Sequence, residues 1–368
     1  MYVQIKNEFE PDLLYHPGEH IQELLEEKQM TQSHLAARMG LTPKTVNELI
    51  QGKTSITPAT ALRLENVFRV PAHFWNNLEL QYQEYLQRNE EAEKFKSYFD
   101  WVKEFPVAAM RKMGLLSPGR GVSSFTVKEI LQFFGVSGPG EWEKIQSSLH
   151  PQLEFKKNTD SNYKAIAVWL RLGELAAEGL LCQDFNEAQL KQALPLMRQL
   201  TCKAITPALF KQLQHLCAKV GVALVFVPEI SGSQACGVTR WLSPKKALVQ
   251  LSLRYKTSDQ FWFAFFHELG HILLHGKRET FWEGVHLPKT EKEQQADDFA
   301  AELLVPGKAL RQFVTQFKTP TQQAIADFAD QIGTHPAIVL GQLQFQKVLP
   351  WDRFRHLKQG LTASDLAF

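Results

Sequence analysis

The residues with the most evident chemistry are His267 and His271, placed around Glu268 in the stretch FWFAFFHELGHILLH at 261–275. On an α-helix this spacing stacks two imidazoles one turn apart on one face, where both can bind a single Zn²⁺. Glu268 would stand beside them, ready to take a proton from a water that the metal acidifies toward a pKa of about 7. The chemistry that suits such a set is hydrolysis of a peptide bond. On the order of 0.03 such motifs would arise by chance in a chain of this length and composition. The plainer alternative is a buried helix with incidental histidines. The flanks weaken it: Phe261 to Phe266 before the motif and Ile272 to Leu274 after it would bury the helix, and imidazoles in a dry place need partners.

A third ligand must come from another element, and the acidic helix expected over 291–304 is the best source. Its apolar residues Ala296, Phe299, Ala300 and Leu303 mark a core face, and Glu293 lies along that face. Asp297, four residues further, could accept the outer N–H of a ligating histidine and hold its tautomer. His275 continues the series of the motif, but another turn moves it about 6 Å along the axis, out of reach unless the helix breaks. Gln295 and Asp298 fall on a different face and are expected to be solvated. Arg240, Tyr255 and His286 are the candidates to stabilise an oxyanion. Cys236, in the Gly-flanked segment SGSQACGVTRW, is a candidate inhibitory ligand whose thiolate would fill the open fourth position of the metal. Its plainer reading is a small buried residue at a strand end.

The run FFHELGHILLH, followed by E-x-x-A-D-x-F-A-x-x-L-L-x-P, resembles the ImmA/IrrE metallopeptidases over about 220–310. The resemblance implies a zincin-like fold, zinc held by His267, His271 and Glu293, Glu268 as the catalytic base, and repressor proteins as substrates. Many members carry Glu where this chain has Gln295. The Glu-x-x-x-Asp spacing from Glu293 to Asp297 favours Glu293 as the ligand.

The elements that must position these side chains can be read around them. GVALVFVP and ALVQLSLRY have the apolar, β-branched texture of strands. A helix through the motif, a loop at 276–290, a helix ended by Pro306 and another through TQQAIADFADQIG complete an α+β domain over 220–368. Residues 86–219 read as a helical connector or dimerisation region, with breaks at 117–121 and 137–140 and aromatic anchors such as Trp101, Phe133, Phe134, Trp142 and Trp169.

Residues 1–85 form a separate helical module in which short helices open on Thr or Pro. Leu35, Ala36, Met39, Val46, Leu49 and Ile50, on either side of a turn at Gly40, have the spacing of a helix-turn-helix. Lys44, Thr45, Asn47, Glu48 and Gln51 then lie away from the apolar stripe and could reach bases, while Gln32, Ser33 and Lys53 suit phosphates. HPGEHIQELLEEKQMTQSHLAARMGLTPKTVNELIQGKTSITPATALRLENVF resembles the DNA-binding domain of HigA-type antitoxins in the Xre/Cro repressor class. That resemblance implies a homodimer on palindromic double-stranded operator DNA, with a toxin as a candidate partner.

Across 368 residues, 41 Lys+Arg against 39 Asp+Glu leave a formal charge of +2, which excludes a polybasic coat. The near-neutral total conceals six cations against two acids in 28–70, beside seven acids and no Lys or Arg in 8–27. No apolar run approaches the roughly 18–20 residues of a membrane span. The start lacks the pattern of a secretory leader, so a cytoplasmic site is expected. Cys182, Cys202, Cys217 and Cys236 form no CxxC and suit reduced, mostly buried thiols.

The expected fold is therefore mainly α, with an N-terminal all-α lambda repressor-like domain and a C-terminal α+β zincin-like domain. The expected function is a DNA-binding regulator whose zinc endopeptidase domain cleaves a repressor or antitoxin, its own chain included, in a stress or phage response. The alternative is a non-catalytic antitoxin-like repressor whose C-terminal domain senses a ligand or binds a toxin.

Overall fold

The computed structural model describes residues 16–149, 163–233, 235–276, 281–284 and 290–366. The chain divides into two compact units, one formed by 1–103 and 111–133 and the other by 104–110 and 134–368. The stretch 86–219 is thus shared between them.

In the first unit, α1 (Pro17–Glu27), α2 (Gln32–Met39), α3 (Pro43–Ile50), α4 (Pro58–Phe68) and α5 (Ala72–Lys96) follow one another closely, with the short α6 (Phe99–Lys103) after them. The starts are set by side chains that take up the otherwise unpaired N–H groups of the first turn. Thr31, Thr42 and Thr57 accept from the backbone of His34, Thr45 and Thr60, and His16 accepts from Gly18. Proline stands in the first turn of α1, α3 and α4, where its missing N–H costs nothing. Gly40 ends α2 at φ 63°, a left-handed conformation that a side chain resists, and so makes the tight turn into α3. Ile21, Leu35, Val46, Leu49, Leu64 and Trp75 are among the side chains that close one apolar core beneath these helices.

Next come α7 (Val107–Lys112), α8 (Ser124–Phe134) and α9 (Pro139–Leu149), separated at the two breaks expected from SPGRG and SGPG. In the second unit, α10 (Tyr163–Glu178), α11 (Glu187–Gln199) and α12 (Pro207–Ala218) precede a sheet of β1 (Val222–Phe226), β2 (Ala235–Ser243), β3 (Lys246–Leu251) and β4 (Phe281–Gly284). The strand order is β1-β3-β2-β4. β1 pairs parallel with β3, while β2 runs antiparallel to both β3 and β4. β1 and β3 are the two strands expected from their texture. β4 lies inside the stretch expected to be a loop, and it forms because β2 offers it an edge to pair with.

The sheet is covered on both faces. Helix α13 (Ser258–Leu274) carries the HELGH motif and packs on β2 and β3. On the other face, α10 sends its backbone carbonyls to the sheet: Gln250 donates to Trp169 O at 2.7 Å and Arg240 to Leu170 O at 2.9 Å. Helix α14 (Glu291–Leu304) lies along α13, and α15 (Gly307–Gln316), α16 (Gln322–Ile332) and α17 (Pro336–Phe345) close the core around Phe261, Trp262, Phe265 and Phe266. The C-terminal segment ties down the start of α13: Lys358 Nζ sits 2.7 Å from Asp259, and Ser258 N donates to Gln359 O. Among the described residues, no helix is long and apolar enough to cross a membrane.

Candidate metal centre

Helix α13 is nearly enclosed, and its apolar residues leave His267, Glu268 and His271 at 1%, 0% and 1% exposure. Ionisable side chains in such a place require partners. The Nε2 atoms of His267 and His271 lie 3.0 Å apart, with one Glu293 oxygen 3.2 Å from the first and the other 3.5 Å from the second. Two bare imidazole nitrogens at that separation repel unless a proton or a cation lies between them. The three side chains form a group whose ligand atoms all fall within 4.8 Å of one another. Two imidazole nitrogens and one carboxylate oxygen form a donor set that suits Zn²⁺ and leaves a coordination position open, so the residues present fit the metal.

Electrostatics agree with that use. Burial pushes the His271 imidazole below its ordinary range, against the opposing pull of Glu293, and so favours the neutral form that binds a metal. Burial would raise Glu293, but its contacts with the His267 and His271 imidazoles outweigh that and hold the carboxyl at about 2. Behind His267, Asp297 Oδ1 lies 3.0 Å from Nδ1. An ionised carboxylate only accepts, so Nδ1 carries the proton and Nε2 keeps its lone pair. Both acids come from one face of α14, whose start is fixed by Thr290 accepting from Glu293 N.

Glu268 is directed at the sheet. Its Oε2 lies 2.6 Å from the Thr239 hydroxyl on β2, which is also 3.0 Å from the Glu268 carbonyl oxygen. Gly237, two residues earlier on the same strand, must lack a side chain, since a Cβ there would fall against the Glu268 carboxylate. Nothing in the sequence marks Thr239 or Gly237, because SGSQACGVTRW is too rich in small residues to show the alternation of a strand.

Other expected residues fall elsewhere. Arg240 is the neighbour of Thr239 and so points to the opposite face. It bonds Glu174 at 2.5 Å and Leu170 O, a buried pairing that removes it as an oxyanion candidate at the motif. Tyr255 is more than half exposed and lines a small cavity with Cys236, Gln260, Phe261 and Ala264. Cys236 is buried on β2 and stands outside the His267, His271 and Glu293 group. Cys217 is buried as expected, whereas Cys202 is exposed and Cys182 half-buried. His286 lies outside the described residues, as do Glu8, Glu10 and Asp12 of the acidic leader. Asp298 is exposed and bonds Gln294.

In the first unit, Val46 and Leu49 turn α3 toward the core. Lys44, Gln51, Lys53 and, on α2, Ser33 are exposed, while Gln32, Thr45, Asn47 and Glu48 are half-buried. Thr45 Oγ1 contacts Thr42 Oγ1 at 2.8 Å, Gln51 donates to Asn47, and Lys44 lies 3.8 Å from Glu48.

Comparison with known proteins places two family domains on this architecture. Residues 21–75 match the helix-turn-helix model HTH_3, and residues 241–330 match the IrrE N-terminal-like domain of peptidase family M78. The "Uncharacterized HTH-type transcriptional regulator YddM" of Escherichia coli (strain K12) is 35% identical over 63 residues, which span 17% of this chain and 67% of that protein. Among solved structures, Pseudomonas aeruginosa antitoxin HigA with higBA promoter is similar at 28% identity and a TM-score of 0.22, over 22% of this chain and 90% of that one. PA4674 with its operator DNA, also from Pseudomonas aeruginosa, is similar at 32% identity and a TM-score of 0.19, over 19% of this chain and 77% of that one. Through its first domain the chain belongs to the HTH-type transcriptional regulators. It carries behind that domain a metallopeptidase-like domain of the IrrE type.

Proposed function

We propose that the chain is a cytoplasmic repressor that binds double-stranded operator DNA as a homodimer and acts as a zinc endopeptidase on a repressor- or antitoxin-type protein. Its own chain is one candidate substrate, and a stress or phage signal is the proposed trigger. The observation that carries the reading is the convergence of His267, His271 and Glu293, with Asp297 behind His267, in a chain that also matches a helix-turn-helix regulator. In this reading 1–85 read DNA, 220–368 cut protein, and 86–219 connect the two and serve dimerisation.

Zn²⁺ in the centre would polarise the scissile carbonyl and acidify water. The chain's own residues do the rest. His267, His271 and Glu293 hold the ion, and Asp297 keeps the proton of His267 on Nδ1. Thr239 anchors one oxygen of Glu268. Glu268 takes the proton of the attacking water and returns it to the leaving amine.

On the DNA side, Lys44 and Lys53 would meet phosphates or bases beside α3. Replacing both with Ala is expected to weaken operator binding across sequences and to lower the salt slope by about 1 for each phosphate contact removed. Fluorescence anisotropy titrations at several salt concentrations measure this, and an unchanged slope would remove both lysines from the interface. The coupling of the two domains is tested on the promoter DNA of the chain's own operon. Full-length protein is incubated with Zn²⁺ and the product of the adjacent gene, and operator occupancy is followed with time. Release with the wild type but not with Glu268→Gln is the expected result; equal release with both would disconnect proteolysis from repression.

A further inference from the structure

We infer that His275 and Gln295 form a relay that fixes which nitrogen of His271 faces the metal. The inference rests on the metal-centre reading above and concerns how this chain prepares its second imidazole.

The two imidazoles of the centre are backed by different chemistry. His267 has a carboxylate behind it, that of Asp297. His271 Nδ1 instead lies 3.0 Å from Nδ1 of His275, another imidazole. Two neutral imidazoles bond through such a pair only when one nitrogen carries a proton and the other is bare. The contact alone does not say which is which, and the choice matters. A proton on His271 Nδ1 leaves Nε2 free for a metal, while the reverse tautomer blocks it.

One step outward the choice is made. His275 Nε2 lies 3.1 Å from Gln295 Oε1, and an amide oxygen only accepts. Nε2 of His275 therefore carries its proton, and its Nδ1 is bare. That bare nitrogen accepts from His271 Nδ1–H, and the lone pair of His271 Nε2 is left pointing at His267 Nε2 and Glu293. The Gln295 amide takes the matching orientation, with its Nε2 donating to Glu291 one turn earlier on α14 at 3.3 Å.

The backbone makes the relay reachable. Helix α13 stops at Leu274, and His275 follows in extended conformation at φ −121°, ψ 163°. Its ring thereby leaves the helical series and approaches His271 from the Nδ1 side, outside the His267, His271 and Glu293 group. Gln295 is exposed, so water can partly replace its oxygen. His275 is therefore the stronger member of the pair.

The test compares full-length wild type with His275→Phe, Gln295→Leu and Gln295→Glu in zinc competition against a chromophoric chelator. Nitrogen NMR of ¹⁵N-histidine-labelled, metal-free protein is recorded alongside. His275→Phe is expected to weaken zinc binding about 10- to 100-fold, the usual cost of losing a partner behind a ligand. Gln295→Leu should cost about threefold to tenfold, and Gln295→Glu, which keeps an acceptor at the same place, should stay within about twofold of the wild type. In the wild type His271 should carry its proton on Nδ1, and Gln295→Leu should show a mixture of tautomers, a change that loss of packing alone would not produce. His271 protonated on Nε2 in the wild type, or zinc affinity of His275→Phe within about twofold of wild type, would overturn the relay. A wild type that binds no zinc would overturn the metal centre itself, a result distinct from a wild type and variants that bind equally well.

Discussion

Glu268→Gln is expected to lower the rate of peptide-bond cleavage by about 10²- to 10⁴-fold, the usual contribution of a positioned general base, while zinc content and operator affinity stay unchanged. The separation follows from where the carboxylate sits. Glu268 is fully buried, with one oxygen 2.6 Å from the Thr239 hydroxyl and its outline closed by Gly237. Gln has the same shape and can keep a hydrogen bond to Thr239, so the strand and helix remain in place. What it lacks is the lone-pair basicity that takes a proton from water. Glu268 also stands outside the group of His267, His271 and Glu293, so the ion should not feel the change. Single-turnover cleavage measured beside zinc content and anisotropy on operator DNA reads all three quantities at once. Equal cleavage by the variant would show that another group is the base.

Glu293→Ala should act on the ion first. Structural zinc sites of four ligands are worth about 10–16 kcal/mol, so one ligand is worth roughly a quarter of that, or about 10²- to 10³-fold in affinity. The carboxylate is well suited to the task, since its contacts with both imidazoles hold it ionised far below neutral pH. Removing it leaves two buried imidazole nitrogens 3.0 Å apart with less to separate them. Cleavage should then be restored only by zinc far above the wild-type requirement. DNA binding should not change, because α1–α4 have their own core. Chelator competition measures the affinity, and a variant that binds zinc as tightly as the wild type would remove Glu293 from the centre.

The helix-turn-helix was legible because its determinants are local. Thr31, Thr42 and Thr57 cap the helices within three residues of themselves, and the apolar spacing on α2 and α3 needs no distant partner. The grouping of His267, His271 and Glu293 could also be read, since two members share one helix face and the third lies on the core face of the next. The sheet was harder. β1 and β3 announce themselves by β-branched apolar runs, but β2 is recognised only once β3 pairs with it, and that pairing sends Thr239 toward Glu268 and Arg240 toward Glu174. Charge alone makes Arg240 one of three oxyanion candidates, and only its register on β2 sends it to Glu174 instead. Taken one at a time in the sequence, His275 reads as a ligand too far away and Gln295 as a solvated amide. Their contact depends on α13 ending at Leu274, which no periodicity within the helix reveals.

Intact-mass spectrometry is the most direct test of the claim that a zinc endopeptidase is joined to this DNA reader. Purified zinc-loaded wild type, the same protein after chelation, and zinc-loaded Glu268→Gln are each incubated with the candidate repressor and, separately, alone. A defined pair of complementary fragments, differing by one water from the intact substrate and present only with zinc-loaded wild type, is the predicted result. Fragments of equal abundance in all three samples, or an intact substrate beside fully zinc-loaded wild type, would contradict it.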